Sequence, residues 1–331
     1  MIGAGEKFLS KLRPEMAELL AELESGNNRP VAIDPKNMVA ARSEFVRLNE
    51  RWNTPMPTGV SVRQMDLMER DRVIPLRIFT STKKTLGSII FVHGGGFIFG
   101  SPETHARFAA LLAKGTGLSV VSVDYRLAPE HPFPYPLEDL VAVLERRSEI
   151  WRFMDIENGS CVLVGDSAGA TLALGALLSR PDLANDIDAA ALCYGAFGLN
   201  FATPSYVTFS EGYRLTRERM IEFWSYYLPK ESMRRRPEAV PLLADSASLS
   251  ALPPLFINAA GIDPLLSDSV LLHSRVAELG RNDILDIEDG VIHGYLQMSH
   301  HLAPAEKAIQ RLTQWLARKA SPDKTGTTTH D

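Results

Sequence analysis

The chain has 331 residues, 45% of them hydrophobic and 23% charged, with a formal net charge of −5. That length exceeds the ~100–200 residues of an average domain but suits one large α/β body carrying an insertion, and the composition excludes a disordered chain. Its longest basic run is Arg234-Arg235-Arg236, which reads as a solvated helix end or loop, so nucleic acid is excluded as a partner. No apolar run reaches the ~20 residues of a membrane span. The N-terminus, with Lys7, Lys11 and Arg13, has no uninterrupted apolar stretch before a small-residue cleavage site, so a cytoplasmic protein without a membrane partner is expected. Cys161 and Cys193 lie in apolar runs and are expected as buried thiols rather than a disulfide.

Residues 1–55 carry apolar positions at helical spacing, as in Phe8, Leu9, Leu12, Met16, Leu19 and Leu20, and predict an N-terminal helical arm that ends at the turn-rich Asn53-Thr54-Pro55-Met56-Pro57. The period then shortens, predicting strands at Val62–Met68, Ile74–Phe79 and Ser88–Val92. Ser101-Pro102 offers a cap and first-turn proline for a helix running to Gly115. Leu118–Val123, apolar but for Ser119 and Ser122, predicts a strand of the kind found in sheets covered on both faces. A helix over Pro136–Arg147, a strand over Cys161–Val164, a helix over Ala168–Ser179 and a strand over Ile187–Cys193 follow. Such alternation predicts an α/β fold with a mostly parallel sheet and right-handed crossovers. Residues 195–250 interrupt the rhythm, with a helix near Arg217–Tyr227 and no strand, and read as an insertion. The sheet resumes with Leu255–Ala259, a helix over Ser267–Leu279, a last strand over Ile284–Ile287 and a closing helix over Pro304–Ala317. From 321 onward the polar composition predicts a flexible tail.

Gly165-Asp166-Ser167-Ala168-Gly169 fits G-x-S-x-G, in which the flanking glycines allow a sharp turn that lifts a serine above the sheet between a strand and a helix. A serine hydroxyl is a poor nucleophile at neutral pH, so it needs a positioned base and donors for the oxyanion that forms. The loop His93-Gly94-Gly95-Gly96, after an earlier strand, supplies backbone N–H groups for such a hole together with that of Ala168. Downstream histidines are His273, His293, His300, His301 and His330. Only His293 falls in a loop just past a strand, where such sheets present their sites. The chain order serine, acid, histidine then selects Asp263, directly after the strand Leu255–Ala259, ahead of Asp268 inside the next helix and of Asp286 and Glu288 in or beside the last strand. For Asp263 a plain helix-capping role before Pro264 is the competing reading.

Taken together, His93-Gly94-Gly95-Gly96-Phe97, Asp124-Tyr125-Arg126-Leu127-Ala128-Pro129-Glu130-His131-Pro132, Gly165-Asp166-Ser167-Ala168-Gly169 and the pair Asp263-Pro264-Leu265 with His293-Gly294-Tyr295 resemble the hormone-sensitive-lipase-like family of α/β-hydrolase esterases, over roughly residues 60–318. The resemblance implies a triad of Ser167, Asp263 and His293, an oxyanion hole from the amides of Gly95, Gly96 and Ala168, and no metal or cofactor. It also implies a cap built from the 1–55 arm and the 195–250 insertion over a catalytic domain of 56–194 and 251–320. His93 and the Tyr125–Pro132 corner are expected to be structural. Tyr295 stands where phenylalanine is commoner in the family.

The expected reaction is hydrolysis of short- to medium-chain carboxylic esters through an acyl-enzyme. The family also contains the plant gibberellin receptor, a non-catalytic binder that lacks the histidine present here as His293, and the plant isoflavanone dehydratases, which depart from motifs this sequence keeps. The expected partner is a small-molecule ester; a homodimer is compatible with the sequence and not specified by it. Ten aromatics fall between Tyr194 and Tyr227 out of 26 in the chain, which predicts an apolar substrate pocket as well as cap core, without assigning individual residues.

Overall fold

A computed structural model describes residues 12–25, 30–81, 85–157 and 159–320. The tail expected at 321–331, His330, and the first helical positions such as Phe8 and Leu9 lie outside the described residues. Eight strands form one sheet: β1 (Val60–Glu69), β2 (Arg72–Ser81), β3 (Gly87–Val92), β4 (Ser119–Val123), β5 (Ser160–Asp166), β6 (Ala189–Cys193), β7 (Leu255–Ile262) and β8 (Ile284–Ile292). Their spatial order is β1-β2-β4-β3-β5-β6-β7-β8. The first two pair antiparallel, β2 also meets β4 antiparallel, and the remaining pairs are parallel.

The parallel strands β3 to β6 are buried at every position, as continuous apolar runs require when helices cover both faces. One face packs Ile90, Val92 and Leu163 against helix Ala168–Ser179 and the 195–250 region. The other packs Phe91, Val162 and Val164 against helices Ala106–Thr116 and Ala303–Lys319. Cys161 and Cys193, on adjacent strands, are free and buried, and burial pushes the Cys161 thiol up to about 12.

Two differences from the sequence reading bear on the site. β7 runs three residues beyond Ala259 and β8 five beyond Ile287, so Asp263 and His293 each directly follow a strand end. Ser101 does not cap a helix: its hydroxyl accepts from the amides of Glu103 and Thr104 at 3.2 and 3.3 Å, closing a turn, and the helix begins at Ala106. The 195–250 stretch contains only short helical pieces and helix Arg217–Tyr227, and Arg234 and Arg235 sit in a single 3-10 turn, Met233–Arg235. Among the described residues of the N-terminal arm there are two helices, Pro14–Glu24 and Met38–Asn53. Arg13, at the start of the first, is anchored to the far edge of the sheet by its amide to the Gly290 carbonyl at 2.9 Å and its guanidinium to Glu288 at 2.6 Å.

Candidate active site

β5 ends at Asp166, and Ser167 turns the chain into helix Ala168–Ser179 with φ 52° and ψ −122°, a conformation sparsely populated by residues with a side chain. Its amide donates to the Cys193 carbonyl on β6 at 2.8 Å, tying the turn to the neighbouring strand. Gly169 is required for close approach: a Cβ there would stand 2.0 Å from the Val92 carbonyl oxygen at the end of β3. Small residues on both sides of Ser167 thus let the strained turn sit against the sheet.

His293 Nε2 lies 2.9 Å from Ser167 Oγ, and its Nδ1 lies 2.7 Å from Asp263 Oδ2. A carboxylate accepts only, so Nδ1 carries the proton donated to Asp263, and Nε2 is left to accept the serine hydroxyl. Asp263 is fully buried, and its Oδ1 accepts the Leu265 amide at 2.9 Å. The helix-capping role is not the one it plays, since the helix starts at Leu266 with Leu265 at its cap; one Asp263 oxygen closes the turn before the helix and the other faces the histidine. The Tyr194 and His293 rings meet edge to face with their centroids 5.0 Å apart.

Asp268, the alternative acid, points elsewhere: its Oδ2 accepts the amides of Phe197 and Gly198 at 2.8 and 2.9 Å. Burial pushes its carboxyl up to about 7, with those two amides opposing the rise and Asp263 adding to it. Asp286 and Glu288 are in β8 and pair with Arg311. His273 lies within helix Leu266–Ala277, while Tyr295 is buried and its hydroxyl meets Asn258.

The glycine-rich loop follows β3. Gly95 has φ 127°, and a Cβ there would stand 2.1 Å from the Phe99 carbonyl oxygen; that carbon has no room. The Gly95 carbonyl accepts from Ile98 and Phe99, folding the loop back on itself. Among the described residues no backbone acceptor is found for the amides of Gly95, Gly96 and Ala168, and Gly95 and Gly96 line the same pocket as Ser167. His93 is buried and stacks on Tyr125 at 4.3 Å, while the Tyr125 hydroxyl donates to the His93 carbonyl at 2.7 Å. Burial, reinforced by neighbouring His105, pushes the His93 imidazole down to about 3, against the pull of its Gly94 contact and of Asp166.

A pocket opens over Ser167 and His293, and its apolar wall is Leu23, Val31, Phe45, Leu48, Trp52, Phe99, Leu215, Phe223 and Met298. Most of these come from the arm or from residues just after the glycine loop. Of the ten aromatics between Tyr194 and Tyr227 only Phe223 lines it, while Phe197, Tyr206, Trp224 and Tyr227 are buried in the core. Sequence reasoning also passed over Asp166, His105 and Gln297, all of which line the pocket. Asp166 occupies a variable position of its motif, and His105 and Gln297 belong to none. Among the described residues no group of three or more His, Cys, Asp or Glu is arranged to hold a metal ion.

A family model described as alpha/beta hydrolase fold matches residues 89–297, and the chain belongs to that family. It is 29% identical over 289 residues to the acetyl esterase of Salmonella agona, covering 86% of this chain and 88% of that protein, and 28% identical to the acetyl esterase of Salmonella typhi over the same share of each. Among solved structures, the hyperthermophilic esterase of Pyrobaculum calidifontis superposes with a TM-score of 0.83 at 28% identity, over 93% of this chain and 98% of that one. An ester-hydrolase from the metagenome of Lake Arreo gives 0.84 at 28%, with the same coverage. A thermostable esterase from Pseudomonas putida shares the fold at a TM-score of 0.87 and 24% identity, covering 94% and 98%.

Proposed function

We propose that this protein is a serine carboxylesterase in which Ser167 attacks the ester carbonyl, His293 takes the hydroxyl proton and returns it to the leaving alcohol, and Asp263 holds the imidazole in the required tautomer. The amides of Gly95, Gly96 and Ala168 receive the oxyanion of the tetrahedral intermediate, and water then deacylates the enzyme by the same proton path in reverse. The observation that carries this reading is the unbroken line from the Asp263 carboxylate through His293 to the Ser167 hydroxyl at 2.7 and 2.9 Å, at the floor of an apolar pocket. The esterase names of the relatives support the choice of ester over other acyl substrates.

We read 1–55 and 195–250 as a cap over a body of 56–194 and 251–320, and short- to medium-chain acyl groups as the substrate; Leu48 from the first segment and Phe223 from the second line the pocket with Ser167, which supports the reading. A cytoplasmic location and a homodimeric assembly complete the proposal; fractionation and sedimentation test them. Among the described residues no helix is long and apolar enough to cross a membrane.

Turnover of p-nitrophenyl esters from acetate to palmitate tests the reading. Activity should peak between acetate and octanoate, and Ser167→Ala should lower kcat by about 10⁶. Residual hydrolysis at more than a hundredth of the parent rate would remove Ser167 from its assigned role.

A further inference from the structure

The two halves of the proposed oxyanion hole come from distant parts of the chain: Gly95 and Gly96 after β3, and Ala168 after β5. Their separation must be fixed to a few tenths of an ångström for the donors to meet one oxygen. Register between β3 and β5 ends with Val92 opposite Gly165, three residues before Gly95 on one strand and three before Ala168 on the other, so the sheet alone does not set it.

A single carboxylate spans the gap. Asp166, 1% exposed, immediately precedes Ser167, and its Oδ1 accepts the amide of Gly94 at 2.8 Å, next to Gly95. Its second oxygen lies 3.4 Å from His105 Nε2 and 3.5 Å from the Tyr194 hydroxyl. His105 is held in turn, with Nδ1 2.8 Å from Thr104 Oγ1 and Nε2 in contact with the Gln297 side chain at 2.5 Å. Tyr194 is the residue whose ring packs on His293. One buried group therefore touches the glycine loop, the serine turn and the support of the histidine. Burial opposes the ionised form of Asp166, but the charge and hydrogen bond of His105, the Gly94 amide and His93 outweigh it and hold the carboxyl below its ordinary range.

We propose that Asp166 is a positioning residue for the reaction: by accepting the Gly94 amide from the residue beside Ser167, it locks the glycine loop to the serine turn and so sets the geometry in which both halves bind the oxyanion. It touches no reacting atom. The inference rests on the esterase reading and adds to it the residue that aligns the site.

Asp166→Asn keeps an acceptor for the Gly94 amide, whereas Asp166→Leu keeps the volume and loses the acceptor; Asp166→Ala replaces the leucine variant should that fail to fold. Active sites are first counted by burst titration with a phosphonate, which separates a smaller folded fraction from a slower site. Per active site on p-nitrophenyl butyrate, Leu or Ala should lower kcat by roughly 10²–10³ with KM within about threefold, the size of effect seen when an oxyanion donor is lost. Affinity for an alkyl trifluoromethyl ketone, which forms an oxyanion with the serine, should fall by the same factor, while affinity for the matching secondary alcohol stays unchanged. Asn should remain within about tenfold of the parent on both readouts. A kcat per site within threefold in Leu or Ala, a loss confined to KM, or an Asn variant as slow as Leu would overturn the proposal. If the parent protein itself hydrolyses no ester, it is the esterase reading that fails instead.

Discussion

Ser167 is held at a backbone conformation few side-chain-bearing residues adopt, and the glycines around it serve the same end by giving up volume. Gly95 is the sharpest case, because a Cβ 2.1 Å from the Phe99 carbonyl oxygen forces the loop to move. Gly95→Ala should therefore displace the amide and lower kcat by about 10²–10³ with a smaller effect on KM; steady-state kinetics on p-nitrophenyl butyrate measures it, and an unchanged kcat would show that this amide is not a donor. Carboxyls raised by burial contribute to pH behaviour, Asp124 to about 6 and Asp268 further. Asp268, raised to about 7 by burial, binds its proton more tightly in the folded than in the unfolded chain. Its contribution to stability is therefore complete below the ordinary carboxyl range near 4 and is lost as pH rises to about 7. Below about 6.5 His93 acts in the opposite sense, since its folded-state value near 3 means that acid favours the unfolded chain. Asp268→Asn should remove the first effect and leave the second. Melting temperature from pH 5 to 8 should fall less in that variant than in the parent, and parallel curves would show that Asp268 does not titrate in this window.

The elements read best from sequence were those whose period is enforced by burial. β3 to β6 are buried at every position because both faces are covered, and their limits lie within two residues of those expected from sequence. Asp263 and His293 were legible for a related reason, since a polar residue just past such a run has few roles other than a site. Ser101 misled because a serine before a proline caps a turn as readily as a helix, and only the packing of His105 and Ala106 decides which. The arm's helical spacing is legible in the sequence, yet its part in the pocket is not, because Phe45, Leu48 and Trp52 line the same pocket as Ser167 only through the fold. Asp166 and His105 escaped for the same reason: two polar residues far apart in sequence become one buried cluster only when β3 and β5 lie side by side. The arm's role is open to a direct test. Leu48 is half-buried and lines the pocket, so Leu48→Trp should narrow it, and kcat/KM for the octanoate ester should fall at least about tenfold relative to acetate, the order of discrimination an apolar pocket gives per added group. Equal losses on both esters would place Leu48 away from the acyl chain.

At the scale of the whole molecule, the 195–250 region proposed as a cap shares apolar core with the sheet and its helices rather than meeting them across a polar seam. Met220, Trp224, Tyr227 and Val240 from the insertion pack in one buried cluster with Phe97, Phe133, Leu172 and Ile90 of the body, and Phe97 and Tyr227 stack face to face at 3.9 Å. The arm is tied in the same way, with Met16, Leu19, Leu20 and Leu23 buried alongside Val291 of β8 and Trp315 of helix Ala303–Lys319. Each such side chain contributes about 1.5–3 kcal/mol on burial, so neither the insertion nor the arm can detach without exposing a surface comparable in energy to the entire stability of a domain. A separable lid would show fewer shared apolar contacts and its own melting event. Calorimetry should therefore give one transition, with calorimetric and van't Hoff enthalpies equal, and the part of the near-ultraviolet ellipticity that Trp224→Phe removes should be lost together with hydrolytic activity. An earlier, separate loss of the tryptophan signal would mean that the cap unfolds on its own and that access to Ser167 is controlled by its opening.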